Sequence, residues 1–254
     1  MTDFFAIVHQ YWMLFLVGQY PHGALGGLAN TLLLSVVAML FAFPLGIVLA
    51  MARISPFSGV RRAAAVWVYV FRGIPLMMVV FWTYFCVPML LGHDINGFAT
   101  MACTLVVYES AYIAEIVRAG IQALPSGQYE ASRALGMSYL KTFRLIILPQ
   151  ALYNMLPSLI SQLVSIIKDS TLGYVINVQE LTFAANQVSN QLLTKPFQVF
   201  AIVALSYYVI CFSLTWLANT LEKRIARQRT RPQGAVPVAM AAPLTSQFII
   251  KEPK

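Results

Sequence analysis

Charged residues cut this chain into long apolar tracts, and the tracts are helix-length. Residues 23–52 contain no Asp, Glu, Lys or Arg, which at about 1.5 Å per residue is more than the roughly 30 Å of hydrocarbon in a bilayer. A first span is therefore predicted between His22 and Arg53. A second runs from Ala63 to Leu91, interrupted by Arg72-Gly73-Ile74-Pro75; proline removes a backbone donor there, so a break or kink is expected about a third of the way along. A third covers 98–124, a fourth begins near Leu145, and a fifth covers Pro196–Leu221. Ahead of them, residues 3–20 are apolar and aromatic but broken by His9 and Gln10. That pattern suits an interfacial helix, and residues 1–21 are assigned to it.

Two stretches break the apolar pattern. The first is 125–149, polar and charged. After Pro125, residues from Ser126 to Leu135 have good helix propensity, Gly136 supplies a stop, and a second short helix can run from Ser138 to Leu145. This helix, glycine, helix unit carries Glu130, Arg133, Lys141 and Arg144 and has the form of a plug for a groove in a soluble partner. The second is Lys168-Asp169-Ser170-Thr171-Leu172-Gly173, which falls within the fourth span and is predicted to be an unwound, cavity-lining segment, or else an ion pair pinning two helices. The polar run 174–195, with Asn177, Gln179, Glu180 and Asn186, reads as an extracytoplasmic connection, part of which can be helical and face the mouth of the pathway.

Composition agrees with a membrane protein. The chain is 59% hydrophobic and only 10% charged, and its mean hydropathy is +0.72. A net charge of +8 would suggest nucleic acid in a soluble protein, but the basic residues lie between and after apolar tracts, where they orient the chain instead. Arg53, Arg61 and Arg62 mark one cytoplasmic loop, and Glu222–Arg229 a cytoplasmic end. Five spans with the N-terminus outside and the C-terminus inside satisfy both, and place 125–149 in the cytoplasm. The proline-rich residues from 229 to 254 are expected to be a disordered tail. Cys86, Cys103 and Cys211 are isolated in apolar tracts and are expected to be buried packing residues; no Cys or His cluster has metal-ligand spacing.

Ionisable residues inside the spans are the candidate chemistry, since each costs about 2.5–3.5 kcal/mol at the centre of a bilayer unless it faces a partner or water. Glu109 falls near the middle of the third span and shares a helical side with Tyr112. Glu115 and Arg118, three apart, can pair near its cytoplasmic end, and a structural role is expected of them. Arg72 is placed either to neutralise a substrate carboxylate or to snorkel to the interface. The candidate polar pathway therefore comprises the acidic Glu109 and Asp169 and the basic Lys168 and Arg72, with Tyr112, Ser170 and Thr171 beside them. The chain lacks a Gly-x-x-x-x-Gly-Lys-Ser/Thr loop, so ATP and magnesium are not expected to bind here, and no cofactor is implied.

The stretch Glu130-Ala131-Ser132-Arg133-Ala134-Leu135-Gly136, nine residues, then Ile146-Ile147-Leu148-Pro149 resembles the signature loop of the membrane-spanning subunits of ABC importers, departing from it only in Ser132 for the second Ala. The element Phe71-Arg72-Gly73-Ile74-Pro75-Leu76, the run Glu109–Ile121 and Lys168–Leu172 are similar to the polar amino-acid permeases of that class, nearest their glutamate/aspartate branch. The resemblance covers about 22–228. It implies an all-α polytopic domain of the type I importer permease kind, with Glu130, Ala131, Arg133, Gly136, Lys141, Arg144 and Pro149 coupling it to a separate ATPase, and a polar amino acid as substrate, whose ammonium would meet Glu109 or Asp169 and whose carboxylate would meet Lys168 or Arg72. It also implies a complex of two such membrane subunits, identical or paralogous, an ATP-binding dimer and a periplasmic solute-binding protein, working by alternating access in the bacterial inner membrane. A secondary amino-acid transporter is the alternative, which would need inverted repeats and would leave the 125–149 loop without a role.

Overall fold

The computed structural model describes residues 2–229, and the tail expected beyond them lies outside the described residues. Among the described residues ten α-helices follow one another: α1 (Thr2–Val17), α2 (Gly27–Arg53), α3 (Ser58–Gly73), α4 (Leu76–Leu91), α5 (Gly97–Gln122), α6 (Ser126–Ala134), α7 (Tyr139–Thr142), α8 (Leu148–Asp169), α9 (Leu181–Leu192) and α10 (Pro196–Arg229). A wide turn of π-helix, Phe143–Ile147, joins α7 to α8, and a 3-10 helix, Ser170–Ile176, follows α8. Four stretches are long and apolar enough to cross a membrane, Gly27–Arg53, Gly97–Gln122, Tyr139–Ile176 and Pro196–Ala226; the pair α3 and α4, bent by 103°, makes a fifth if it forms one span.

The centre is the α2–α5 pair. Gly46 lets the two backbones close up: a Cβ there would stand 2.5 Å from Ile113 Cγ2 and 3.2 Å from the Ala114 nitrogen. Small residues Ala38, Ala42 and Ala50 line the same side of α2 and are fully buried, as tight packing in membranes requires. Towards one end, Leu34, Val80, Met101, Leu105 and Ile166 form one core cluster. Towards the end carrying the 125–149 loop, Val68, Ile113, Val117, Ala151 and Met155 form another. A third, of Ile7, Phe15, Leu181, Val188 and Val203, fastens α1, α9 and α10 together. Helix α1 is thus packed into the bundle by one face while Phe5, Trp12 and Met13 stay exposed.

Two expectations are corrected and one gains detail. The run 174–195 is partly helical, as α9, and is packed: Glu180, fully buried, caps α9 by accepting from Thr182 N at 2.7 Å and Phe183 N at 2.8 Å, and Tyr207 donates to it at 3.1 Å. Leu181 N donates to Thr31 Oγ1 and Asn30 Nδ2 to the Gln179 carbonyl, so polar side chains here satisfy a backbone folded against α2. The break near Lys168 comes later than predicted, because α8 continues through Asp169 and tightens into a 3-10 helix only from Ser170. A lysine in the last turn of a helix suits the negative end of its dipole, which is why Lys168 does not stop it. The cysteines are not core residues, since Cys86 and Cys103 are exposed and Cys211 is half-buried.

Candidate functional site: the coupling loop and the polar centre

The 125–149 loop folds as its sequence predicts, with one difference. Pro125 starts α6, Gly136 follows it with φ +77°, and the Ser138 hydroxyl accepts from Lys141 N to start α7. Left-handed backbone is cheap only for glycine. Helix α7 then runs through the π turn into α8 rather than ending at Leu145, which ties the loop to a spanning helix. Glu130, Ala131, Arg133, Gly136, Lys141, Arg144 and Pro149 are all exposed, and so are Leu135, Leu140 and Leu145 at 61–81%. Charge around exposed leucines is the composition of an unfilled protein interface. Ser132 turns inward, buried, with its hydroxyl donating to the Tyr129 carbonyl at 2.7 Å; a residue hidden in this way can depart from Ala without altering the exposed face.

The second set of residues gathers where α5 and α8 cross. Glu109 is 1% exposed, and Gln162 Nε2 donates to its Oε2 at 2.5 Å. Its other oxygen is buried without a hydrogen-bond partner, and the carboxyl of Asp169 is its neighbour. One turn along α5, the Tyr108 and Tyr112 hydroxyls lie 3.2 Å apart, and the Arg72 guanidinium sits 5.3 Å from the centre of the Tyr112 ring. Arg72 thus stands against α5. Its cleft, about 370 Å³, is shared with Glu115, Asn154 and Ser158.

Other predicted members are placed differently. Lys168 is exposed while Asp169 is half-buried beside Glu109, and the described residues show no ion pair between the two. The hydroxyls of Ser170 and Thr171 donate to the Ile167 and Lys168 carbonyls at 2.8 and 2.6 Å, spending their protons on the backbone and leaving only acceptor capacity. The sequence reading also missed a polar stripe on α8. Asn154, Ser158, Ser161, Gln162 and Ser165 recur at helical spacing, and Ser158 and Ser161 are exposed. All five, with Asn219 and Glu222 of α10, line a cavity of about 300 Å³. The signal was legible: polar residues recurring three or four apart within an uncharged tract.

Comparisons with known proteins now decide the family. The profile described as "Binding-protein-dependent transport system inner membrane component" matches residues 42–227. The chain belongs to this family. Among relatives of the permease, the inner membrane amino-acid ABC transporter permease protein YhdY of Escherichia coli K12 is 36% identical over 81% of this chain, which spans 57% of that protein's length. The glutamate/aspartate import permease protein GltK of Escherichia coli O6:H1 is 35% identical over 80% of this chain and 93% of its own. In three dimensions, the crystal structure of an amino acid ABC transporter with histidines superposes with a TM-score of 0.74 at 32% identity, covering 88% of this chain and 99% of that one. The chain is accordingly an amino-acid ABC transporter permease and a multi-pass protein of the inner membrane.

Proposed function

We propose that this permease is the membrane subunit of an ATP-driven importer of a polar amino acid, with its N-terminus outside and its C-terminus inside. The observation that carries the reading is the exposed unit of α6, Gly136 and α7, presenting Glu130, Arg133, Lys141 and Arg144 around exposed leucines and continuous with α8. A separate ATP-binding dimer, which holds the ATP and magnesium, closes against this loop and its counterpart on a second membrane subunit. Because α7 and α8 form one stretch, a push on the loop moves the helix that bears Gln162 and Asp169. The pathway then opens towards a periplasmic solute-binding protein.

The substrate meets Glu109 and Asp169 through its ammonium and Arg72 through its carboxylate. Lys168, exposed in the last turn of α8, is the second candidate for the carboxylate. The polar stripe Asn154, Ser158, Ser161, Gln162 and Ser165 extends this centre about 16 Å towards the loop end, and such residues are tolerated at depth only against water or protein. A glutamate or aspartate substrate is the finer reading, supported by the similarity to a permease named for those amino acids. The test is copurification. An ATPase that accompanies the subunit, and is lost when Glu130 and Gly136 are changed together, supports the coupling; retention of the ATPase by that double variant refutes it.

A further inference from the structure

Near the loop end, one carboxylate binds two arginines, and the cluster touches three helices. Glu115, on α5, forms an ion pair through Oε1 with Nη1 of Arg53, the last residue of α2. Its Oε2 accepts from Arg118 Nε at 3.0 Å and from Arg118 Nη2 at 2.6 Å. The Arg53 guanidinium also lies 5.3 Å from the centre of the Tyr69 ring of α3, while Arg118 Nη1 donates at 2.6 Å to Gln122, the final residue of α5. The side chains of Arg53, Glu115 and Arg118 are only 11%, 18% and 28% exposed. Charges this enclosed are strongly coupled, and losing one leaves the others uncompensated.

The connections form a path. Three residues after Gln122, Pro125 opens α6; in the other direction, Tyr69 is three residues from Arg72, and Glu115 is three from Tyr112. Glu115 and Arg72 also line the same cleft. We propose that Glu115 is a positioning residue that makes the loop ends of α2, α3 and α5 a single body, so that displacement of α6 is delivered to Arg72 and Tyr112 rather than absorbed by bending of α5. This rests on the coupling reading above and assigns the linkage to one carboxylate. Two arginines against one glutamate leave the cluster with an excess positive charge, so Glu115 is the only member whose removal separates both cations at once.

The substitution is Glu115→Gln, close to isosteric and uncharged, measured in the full complex with its ATPase in proteoliposomes. The readout is amino acid transported per ATP hydrolysed. That ratio is expected to fall about tenfold, with hydrolysis and the ATPase still present, whereas a purely structural role would lower uptake and hydrolysis together. Arg53→Gln is expected to give the same phenotype, and the double variant no further loss, because the two act as one unit. An unchanged ratio in Glu115→Gln, or losses that multiply in the double variant, overturns the proposal. If Glu115→Gln does not accumulate in the membrane, Arg53→Gln carries the test, and an unchanged ratio there overturns it equally. Loss of the ATPase from the unsubstituted complex would instead sink the coupling reading itself.

Discussion

Replacing Gly136 gives a graded test of the coupling loop. The residue has φ +77°, and a Cβ built on it meets nothing within 4 Å, so a substitution is penalised through the backbone alone and not through a clash. A non-glycine residue in left-handed conformation costs about 1–2 kcal/mol, less for Asn and more for a β-branched side chain. At 1.4 kcal/mol per tenfold, Gly136→Ala should lower the population of the native turn about 5- to 30-fold relative to its alternatives, with Gly136→Asn above it and Gly136→Val below. The exposed position means that little of this reaches the bundle: α6 is displaced while α8 and the core clusters keep their packing. Uptake by reconstituted complexes should therefore fall in the order Gly, Asn, Ala, Val, while the amount of subunit in the membrane stays constant. Parental uptake by Gly136→Val would refute the reasoning, and so would a series ordered by side-chain volume with no advantage for Asn.

Two other outcomes follow from the interior. Glu109→Gln and Asp169→Asn keep shape but remove charge from the α5–α8 crossing, where a charge-assisted hydrogen bond is worth about 1.5–3 kcal/mol; uptake should fall about 10- to 100-fold while ATP hydrolysis persists, and parental transport by both variants would make these residues structural. Glu180, between the spans, is pushed up to about 7 by burial, opposed by its hydrogen bonds from Thr182, Phe183 and Tyr207. Because its folded-state pKa lies above the ordinary 4.5, ionisation works against folding: its contribution is most favourable below about 4.5 and is lost as pH rises to about 7. The melting temperature of the detergent-solubilised subunit should fall over that window, and Glu180→Gln should flatten the fall; an unaltered pH profile in the variant would show that another group is responsible.

Much of the fold was legible because lipid imposes simple rules. Apolar tracts of span length became α2, α5, α8 and α10, and Arg72-Gly73-Ile74-Pro75 became a break, though its 103° bend exceeds what a kinked single helix suggests. Gly136 and Pro125 announced the loop, since both act through local backbone geometry. What could not be read was which side of an apolar helix meets protein. Cys86 and Cys103 sit in tracts apolar all round, where sequence does not distinguish a core face from an exposed one. Glu180 and its neighbours looked solvated because polar residues read alike whether they meet water or a buried backbone; only the fold brought Thr31 and Tyr207 to them. Likewise, Lys168 and Asp169 are adjacent in sequence, but a helix turns about 100° per residue and points them apart.

The central claim is that ATP hydrolysis by a partner subunit drives this permease through the loop at 125–149. Uptake of radiolabelled glutamate should be followed in proteoliposomes containing the complete complex and its solute-binding protein, with ATP supplied on the loop side. The account predicts accumulation that requires ATP, survives collapse of ion gradients and is lost in Gly136→Val. Accumulation of the amino acid by the subunit alone, without ATP and in proportion to an imposed proton or sodium gradient, would contradict it.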